Sequence, residues 1–374
     1  MNYTQKYKVG ISGSYGGLNL GDEAILHCIT SELRKSLPVE ITVFSRNPEH
    51  TLKHHEVEKA VAVRTLSRDE VVPEISGLDL FILGGGGILF DREVRVYLRE
   101  ALLALDRSIP LMTYAIGAGP LNDAGNQAAV RDCLCRAAAI TVRERSAKKI
   151  LEDAGVDCRI DITADPALLL EPEPLGEHDL HREGLDTKPN LIGISVREPG
   201  AAAPDIDQEF YHGLLANAAD YMIDRYNAHV VFIPMERKVL DMQHSHAVIA
   251  RMLRPQRASV LMGNYSAGRI LTLMDNFVFA VGMRLHFLIF AALRGVPFVA
   301  LPYASKVSGF LDDIGLLSPP LELVNSGRLI AHIDRSWDQR EEIKRQIGAR
   351  LPELKSRARE TNKIAVKILR GESP

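Results

Sequence analysis

Apolar strands that end in glycine or a cation, each followed by a helical pattern, constrain this chain more than any other feature. The plainest case is the run Phe-Val-Phe-Ala-Val-Gly at residues 277–282, which leads directly into Met283, Arg284, Leu285 and His286. A strand with no polar position has both faces covered, as in a parallel sheet flanked by helices. Leu285, Leu288, Ile289, Ala292 and Leu293 then repeat at helical spacing. A second apolar run, Val-Pro-Phe-Val-Ala-Leu-Pro-Tyr at 296–303, leads to Lys306. This is a β-α-β unit, and it puts Arg284, His286 and Lys306 at the carboxyl ends of strands, where open parallel sheets hold their ligands. The helix start beside Arg284 adds N–H donors and a partial positive charge, which suit an anion. A lone histidine after a strand is more often a packed structural residue. Three cationic or titratable side chains inside so apolar a run are harder to read as a solvated face.

The same alternation runs along most of the chain. Lys-Val-Gly-Ile-Ser-Gly at 8–13 reads as a first buried strand, and a glycine-rich turn, 14–22, leads into a helix carrying Asp22 and Glu23. The glycines at 13, 16, 17 and 21 do not spell G-x-G-x-x-G, and the Lys-Ser/Thr of a phosphate loop is missing. A tight βα turn and a ligand cradle both remain open there. Asn19, Asp22 and Glu23 favour a ligand, because a simple turn does not require two adjacent acids. Four consecutive glycines, Gly84–Gly87, follow another apolar strand and let the backbone approach either a ligand or the neighbouring helix. Ala-Ile-Thr-Val at 139–142 carries Arg143 at its carboxyl end. Residues 173–189 are polar and proline-containing, and the strand–helix pattern restarts at 190. The expected organisation is an N-terminal domain over 1–172, a linker over 173–189, a C-terminal domain over 190–336, and charged helices over 337–374. The expected fold class is α/β, with two Rossmann-like α/β/α domains facing a central cleft.

A length of 374 residues suits two domains, and 46% hydrophobic with 25% charged residues suits full cores. A net charge of -3 and only 6% aromatic residues argue against nucleic acid as a partner. Cys28, Cys133, Cys135 and Cys158 show no zinc spacing and read as reduced, mostly buried thiols. Neither a signal-peptide pattern nor an apolar run long enough to span a bilayer is present, so a cytoplasmic protein is expected. Peripheral contact with the inner face of a membrane stays compatible with that reading.

With these residues in view, the chain resembles the polysaccharide pyruvyl transferase family. The resemblance rests on GGLNLGDEAIL, LFILGGGGILFD, YAIGAGPL, ITVRERSAKKIL, ADPALLL and GMRLHFLIFAALRGVPFVALPYASKV, in that order along most of the length. It implies a GT-B-like, two-domain enzyme that moves the pyruvyl group of phosphoenolpyruvate onto two hydroxyls of a saccharide, making a pyruvate ketal on a cell-wall or exopolysaccharide unit. Lipid-linked acceptors and oligomeric forms are compatible with it. His286 and Arg284 are then the expected catalytic residues, and Arg143, Lys306 and Arg284 the donor-binding ones. Asn19, Asp22 and Glu23 are expected to meet the acceptor. Neither a metal nor a further cofactor is expected. Arginine forks suit both phosphate and carboxylate, and an imidazole near neutrality can give and take protons in succession. The sequence departs from the family at Ala304 and Ser305, where an acidic residue and proline are usual before the Lys306 position. Two alternatives stay open: a GT-B-type nucleotide-sugar glycosyltransferase, and a non-catalytic protein that binds anionic sugars.

Overall fold

A computed structural model of the chain describes residues 6–17, 19–197, 207–236, 240–301, 305–317 and 325–373. The chain divides into two compact units: Met1–Leu170 with Glu353–Pro374, and Glu171–Pro352.

Among the described residues, the first unit holds β1 (Tyr7–Ser12), β2 (Val39–Ser45), β3 (Lys59–Ala62), β4 (Leu80–Gly84), β5 (Gly87–Leu89), β6 (Leu111–Ala118), β7 (Ala139–Val142) and β8 (Ile160–Ile162). They form one parallel sheet in the order β3-β2-β1-β4-β6-β7-β8, with β5 added beside β6. The order reverses between β1 and β4, the switch point at which doubly wound sheets hold ligands. Every residue of β4 and of β6 is buried. Leu83, Ile88, Leu98, Leu111, Val130, Ile140 and Leu151 belong to one continuous apolar core on this sheet. Each fully buried side chain of that kind contributes about 1.5–3 kcal/mol.

The second unit holds β9 (Leu191–Ser195), β10 (His229–Phe232), β11 (Ala258–Val260), β12 (Phe277–Gly282) and β13 (Phe298–Ala300). Its parallel order is β11-β10-β9-β12-β13, which reverses between β9 and β12. Both units are therefore Rossmann-like, as expected. The 173–189 stretch, expected as a linker, is tied into the second unit. Glu173 accepts from Ser266 Oγ at 2.7 Å, and Glu183 accepts from the Met262 and Gly263 amides at 2.9 and 2.6 Å. Glutamates in a polar, proline-containing run find hydroxyl and amide partners there that composition does not show. The last helix, Arg340–Leu369, contains Pro352, and the boundary between the units falls at that residue. A proline inside a helix removes one backbone hydrogen bond, which suits a boundary. Beyond it, Arg357 donates to the Thr163 carbonyl at 2.7 Å and Thr361 bonds Thr163 Oγ1 at 2.8 Å, so the helix end belongs to the first unit.

Candidate functional site

In the first unit, the glycine-rich segments of the sequence meet at the β1/β4 switch point. Tyr15 is fully buried and donates its hydroxyl to the Gly84 carbonyl, which locks the first turn onto the end of β4. Burial, with Asp22 and Glu23 close by, raises that phenol well above its ordinary range. Gly85 sits at φ +71°, and a Cβ there would lie 2.1 Å from Ile25. The tetraglycine thus serves close approach to the helix Leu20–Ser36, the second of the two options its sequence left open.

That helix begins under acidic control. Asn19 is its N-cap and accepts from the Gly21 and Asp22 amides at 2.9 and 3.4 Å. Glu23 is buried; it accepts from the Gly16 amide at 2.9 Å and bonds His55 Nε2 at 2.6 Å. Asp22 is half-buried, and a Cβ at Gly86 would lie 3.0 Å from its Oδ1. With its leading amides capped and two acids in its first turn, this helix start repels anions and is suited to hydroxyls.

A bulge in β6 brings Arg143 into the same neighbourhood. Between Thr113 and Ile116 the pairing with β7 shifts register, and Ala115 takes φ +50°. Two threonines supply the bonds that the bulge would lose. Thr141 Oγ1 accepts from the Ala115 amide at 2.8 Å and donates to the Thr113 carbonyl at 2.6 Å, while Thr113 Oγ1 donates to the Thr141 carbonyl at 3.0 Å. Past the bulge, the strand turns to pair with β5, and the Gly117 amide donates to the Gly86 carbonyl at 2.8 Å. A Cβ at Gly117 would lie 2.9 Å from Arg143 Nη2. Arg143 itself is 4% exposed; its Nε donates to Glu144 at 2.7 Å and its Nη1 to Asp165 at 2.8 Å. Those two carboxylates raise its pKa further, against the opposing effect of burial. Asn19, Asp22, Glu23 and Arg143 are thus gathered at the strand ends of one unit.

In the second unit, Arg284 is the N-cap residue of the helix Leu285–Leu293, just after β12, and its own side chain makes no cap hydrogen bond. Its guanidinium is held from two sides. Nε donates to Asp241 at 3.0 Å, and Nη2 donates to Asp241 and, at 3.0 Å, to Glu236. Asp241 is fully buried and also accepts from the Met235 and Glu236 amides at 3.1 and 3.0 Å, whereas the Glu236 side chain is 37% exposed. His286 is half-buried in the first turn of the same helix. Arg197 follows β9, the neighbouring strand at this switch point. Lys306 is half-buried in the first turn of the helix Ser305–Ile314, past β13. Ala304 and the side chain of Ser305, where the sequence departs from the family pattern, lie outside the described residues.

A family model described as polysaccharide pyruvyl transferase matches residues 19–305. This chain belongs to the polysaccharide pyruvyl transferase family. It is 23% identical over 306 residues to the amylovoran biosynthesis protein AmsJ of Erwinia amylovora, covering 78% of this chain and 73% of AmsJ. Among solved structures, it is similar to S. aureus MnaA with UDP, at TM-score 0.67 and 11% identity, covering 98% and 99% of the two chains. A glycosyltransferase from Rickettsia africae matches at TM-score 0.66 and 11% identity over 98% and 100%. The UDP-GlcNAc 2-epimerase of Neisseria meningitidis, bound to UDP-GlcNAc, matches at 0.62 and 11% over 97% and 100%. These structural likenesses establish the GT-B-like fold class and nothing finer.

Sequence reasoning found the cations of both units and missed what holds them. Asp165 reads as the start of a turn before Pro166, and nothing in the sequence singles out Asp241. An acid next to an otherwise apolar strand–turn segment, as in Ile-Thr-Ala-Asp-Pro-Ala-Leu-Leu-Leu, is the signal that could have flagged Asp165 as buried and paired.

Proposed function

We propose that the chain transfers the pyruvyl group of phosphoenolpyruvate to two hydroxyls of a saccharide in exopolysaccharide assembly, closing a pyruvate ketal and releasing phosphate. The observation that carries this reading is the opposite character of two helix starts. The helix Leu20–Ser36 opens on Asn19, Asp22 and Glu23, whereas Leu285–Leu293 opens on Arg284, whose side chain makes no cap bond, and His286. The second suits a donor with a phosphate and a carboxylate. The first suits neutral hydroxyls. Membership of the family and the likeness to an amylovoran biosynthesis protein support the same reading.

The chemistry balances on these groups. A proton adds to the methylene carbon of phosphoenolpyruvate, which becomes a methyl group and leaves C2 electrophilic. Two acceptor oxygens bond to C2 as the C2–O bond to phosphate breaks. Of the two hydroxyl protons lost, one replaces the proton delivered to carbon and the other leaves with phosphate. His286 is assigned the proton shuttle. Arg284 holds the donor's charge, aligned by buried Asp241, and the more exposed Glu236 is the carboxylate that an arriving anion displaces. Lys306 adds a second cation for the leaving phosphate. Asn19 and Asp22 orient acceptor hydroxyls, and Glu23 keeps the first turn closed on them. Arg143, so deeply buried between two carboxylates, acts by holding the Gly86–Gly87 and Gly117 turns in place.

The test is incubation with phosphoenolpyruvate and a panel of lipid-linked and nucleotide sugars. Phosphate release that requires both an acceptor and an intact His286 is expected. Turnover of a nucleotide sugar in the absence of phosphoenolpyruvate would sink the reading in favour of glycosyl transfer.

A further inference from the structure

We propose that Cys135, Asp157 and Cys158 form a binding site for a thiophilic divalent cation of the zinc class. Cys135 is the C-cap residue of the helix Ala124–Leu134, and Asp157 and Cys158 lie in the turn that leads into β8. The turn brings Cys158 Sγ to 3.4 Å from Cys135 Sγ, and Asp157 Oδ1 to 3.6 Å from Cys135 Sγ. All three donor atoms lie within 4.8 Å of one another. Tetrahedral zinc, with bonds of about 2.3 Å to sulfur and about 2.0–2.2 Å to oxygen, requires sulfurs roughly 3.8 Å apart and a sulfur–oxygen separation of roughly 3.5 Å. The two separations from Cys135 reach that geometry with shifts of a few tenths of an ångström, and the Asp157 carboxylate lies within 4.8 Å of Cys158 Sγ. A disulfide requires its sulfurs at about 2.05 Å and gives Asp157 no part.

The donor set selects the ion. Two thiolates with one carboxylate suit zinc or cadmium, whereas magnesium and calcium take oxygen ligands. Cys135 and Asp157 are exposed and Cys158 is half-buried, so a cation and a completing water have access. Cys28 and Cys133 are both buried and do not compete. The two cysteines are 23 positions apart in the chain, far from the short spacing by which zinc sites are read from sequence. A cation there would clasp a helix end to the strand that runs on to Thr163 and Asp165, the second of which holds Arg143. The site is independent of the pyruvyl-transfer reading.

The experiment titrates the reduced, metal-free full chain with Cd(II) and follows the ultraviolet thiolate-to-cadmium charge-transfer band. The band should saturate at one equivalent, Zn(II) should abolish it by competition, and Zn(II) alone should raise the melting temperature. In Cys135→Ser/Cys158→Ser, both responses should vanish while the metal-free melting temperature stays at the wild-type value. Asp157→Asn should keep the band with affinity weakened about tenfold or more, the loss typical of even an outer-shell partner. A wild-type chain without the band, or an equal band in the double variant, overturns the site. Unchanged affinity in Asp157→Asn overturns the three-residue donor set.

Discussion

Replacing Arg143 with methionine tests how the first unit holds its glycine turns. The side chain is 4% exposed, and its two partners, Glu144 and Asp165, are 5% and 6% exposed. Methionine fills much of the volume but removes the guanidinium that bridges two buried carboxylates. Breaking a buried ion pair from one side costs about 3–5 kcal/mol, because the uncompensated charge keeps its desolvation penalty. For a unit of this size, each kcal/mol moves the midpoint by about 2–4 °C, so the first unit should melt roughly 6–20 °C lower. Differential scanning calorimetry on the full chain reads this directly. Adding Glu144→Gln and Asp165→Asn to the same chain should recover most of the loss, since the uncompensated charges are then gone. A single variant that melts within about 2 °C of wild type would refute the buried-cation argument. A triple variant no better than the single one would show that the cost lies in packing, not charge.

Three further outcomes follow from the same geometry. Glu236→Gln removes the exposed competitor for Arg284 and should lower KM for phosphoenolpyruvate by up to about fivefold, the worth of a partly exposed pair; a raised KM would place Glu236 among the donor's contacts. Asp241→Ala deprives Arg284 of its buried partner and two backbone amides of their acceptor, so the second unit should lose about 3–5 kcal/mol in chemical denaturation. Burial first, then nearby cationic groups, lowers His212 and His229 to about 4. Both are neutral in the folded chain, while the unfolded chain takes up protons below about 6.5. Their contribution is therefore complete above pH ~6.5 and is lost as pH falls toward ~4. Melting temperature measured across that window should fall, and His212→Gln/His229→Gln should flatten the slope; parallel slopes would contradict the assignment.

The architecture was legible because strand ends in this chain are punctuated. Apolar runs such as 80–84, 111–118 and 277–282 stop at glycines or cations, and the helices after them carry anchors at helical spacing, so the alternation and its restart near 190 could be read directly. Helix ends were legible too: the helical spacing from Leu285 to Leu293 became the helix Leu285–Leu293. What stayed hidden depends on distance along the chain. Nothing local pairs Thr113 with Thr141, or tells that Ala115 will take a left-handed conformation between them. Nothing near Arg284 indicates that Asp241 lies beneath it, since long-range ion pairs leave no periodicity. The exposed Cys135 and half-buried Cys158 were read as mostly buried for a related reason, because the contact that brings them together joins residues 23 positions apart.

The proposal of ketal formation with His286 as proton shuttle meets its most direct test in deuterated solvent. Phosphoenolpyruvate and a competent acceptor are supplied, and the product methyl group is read by NMR and mass spectrometry. One solvent deuteron in the methyl of a pyruvate ketal is expected, with matching phosphate release, and with both signals reduced about 10²–10⁴-fold in His286→Ala. A ketal formed at the wild-type rate by His286→Ala, or a product that retains the phosphoenolpyruvate double bond, would contradict the account.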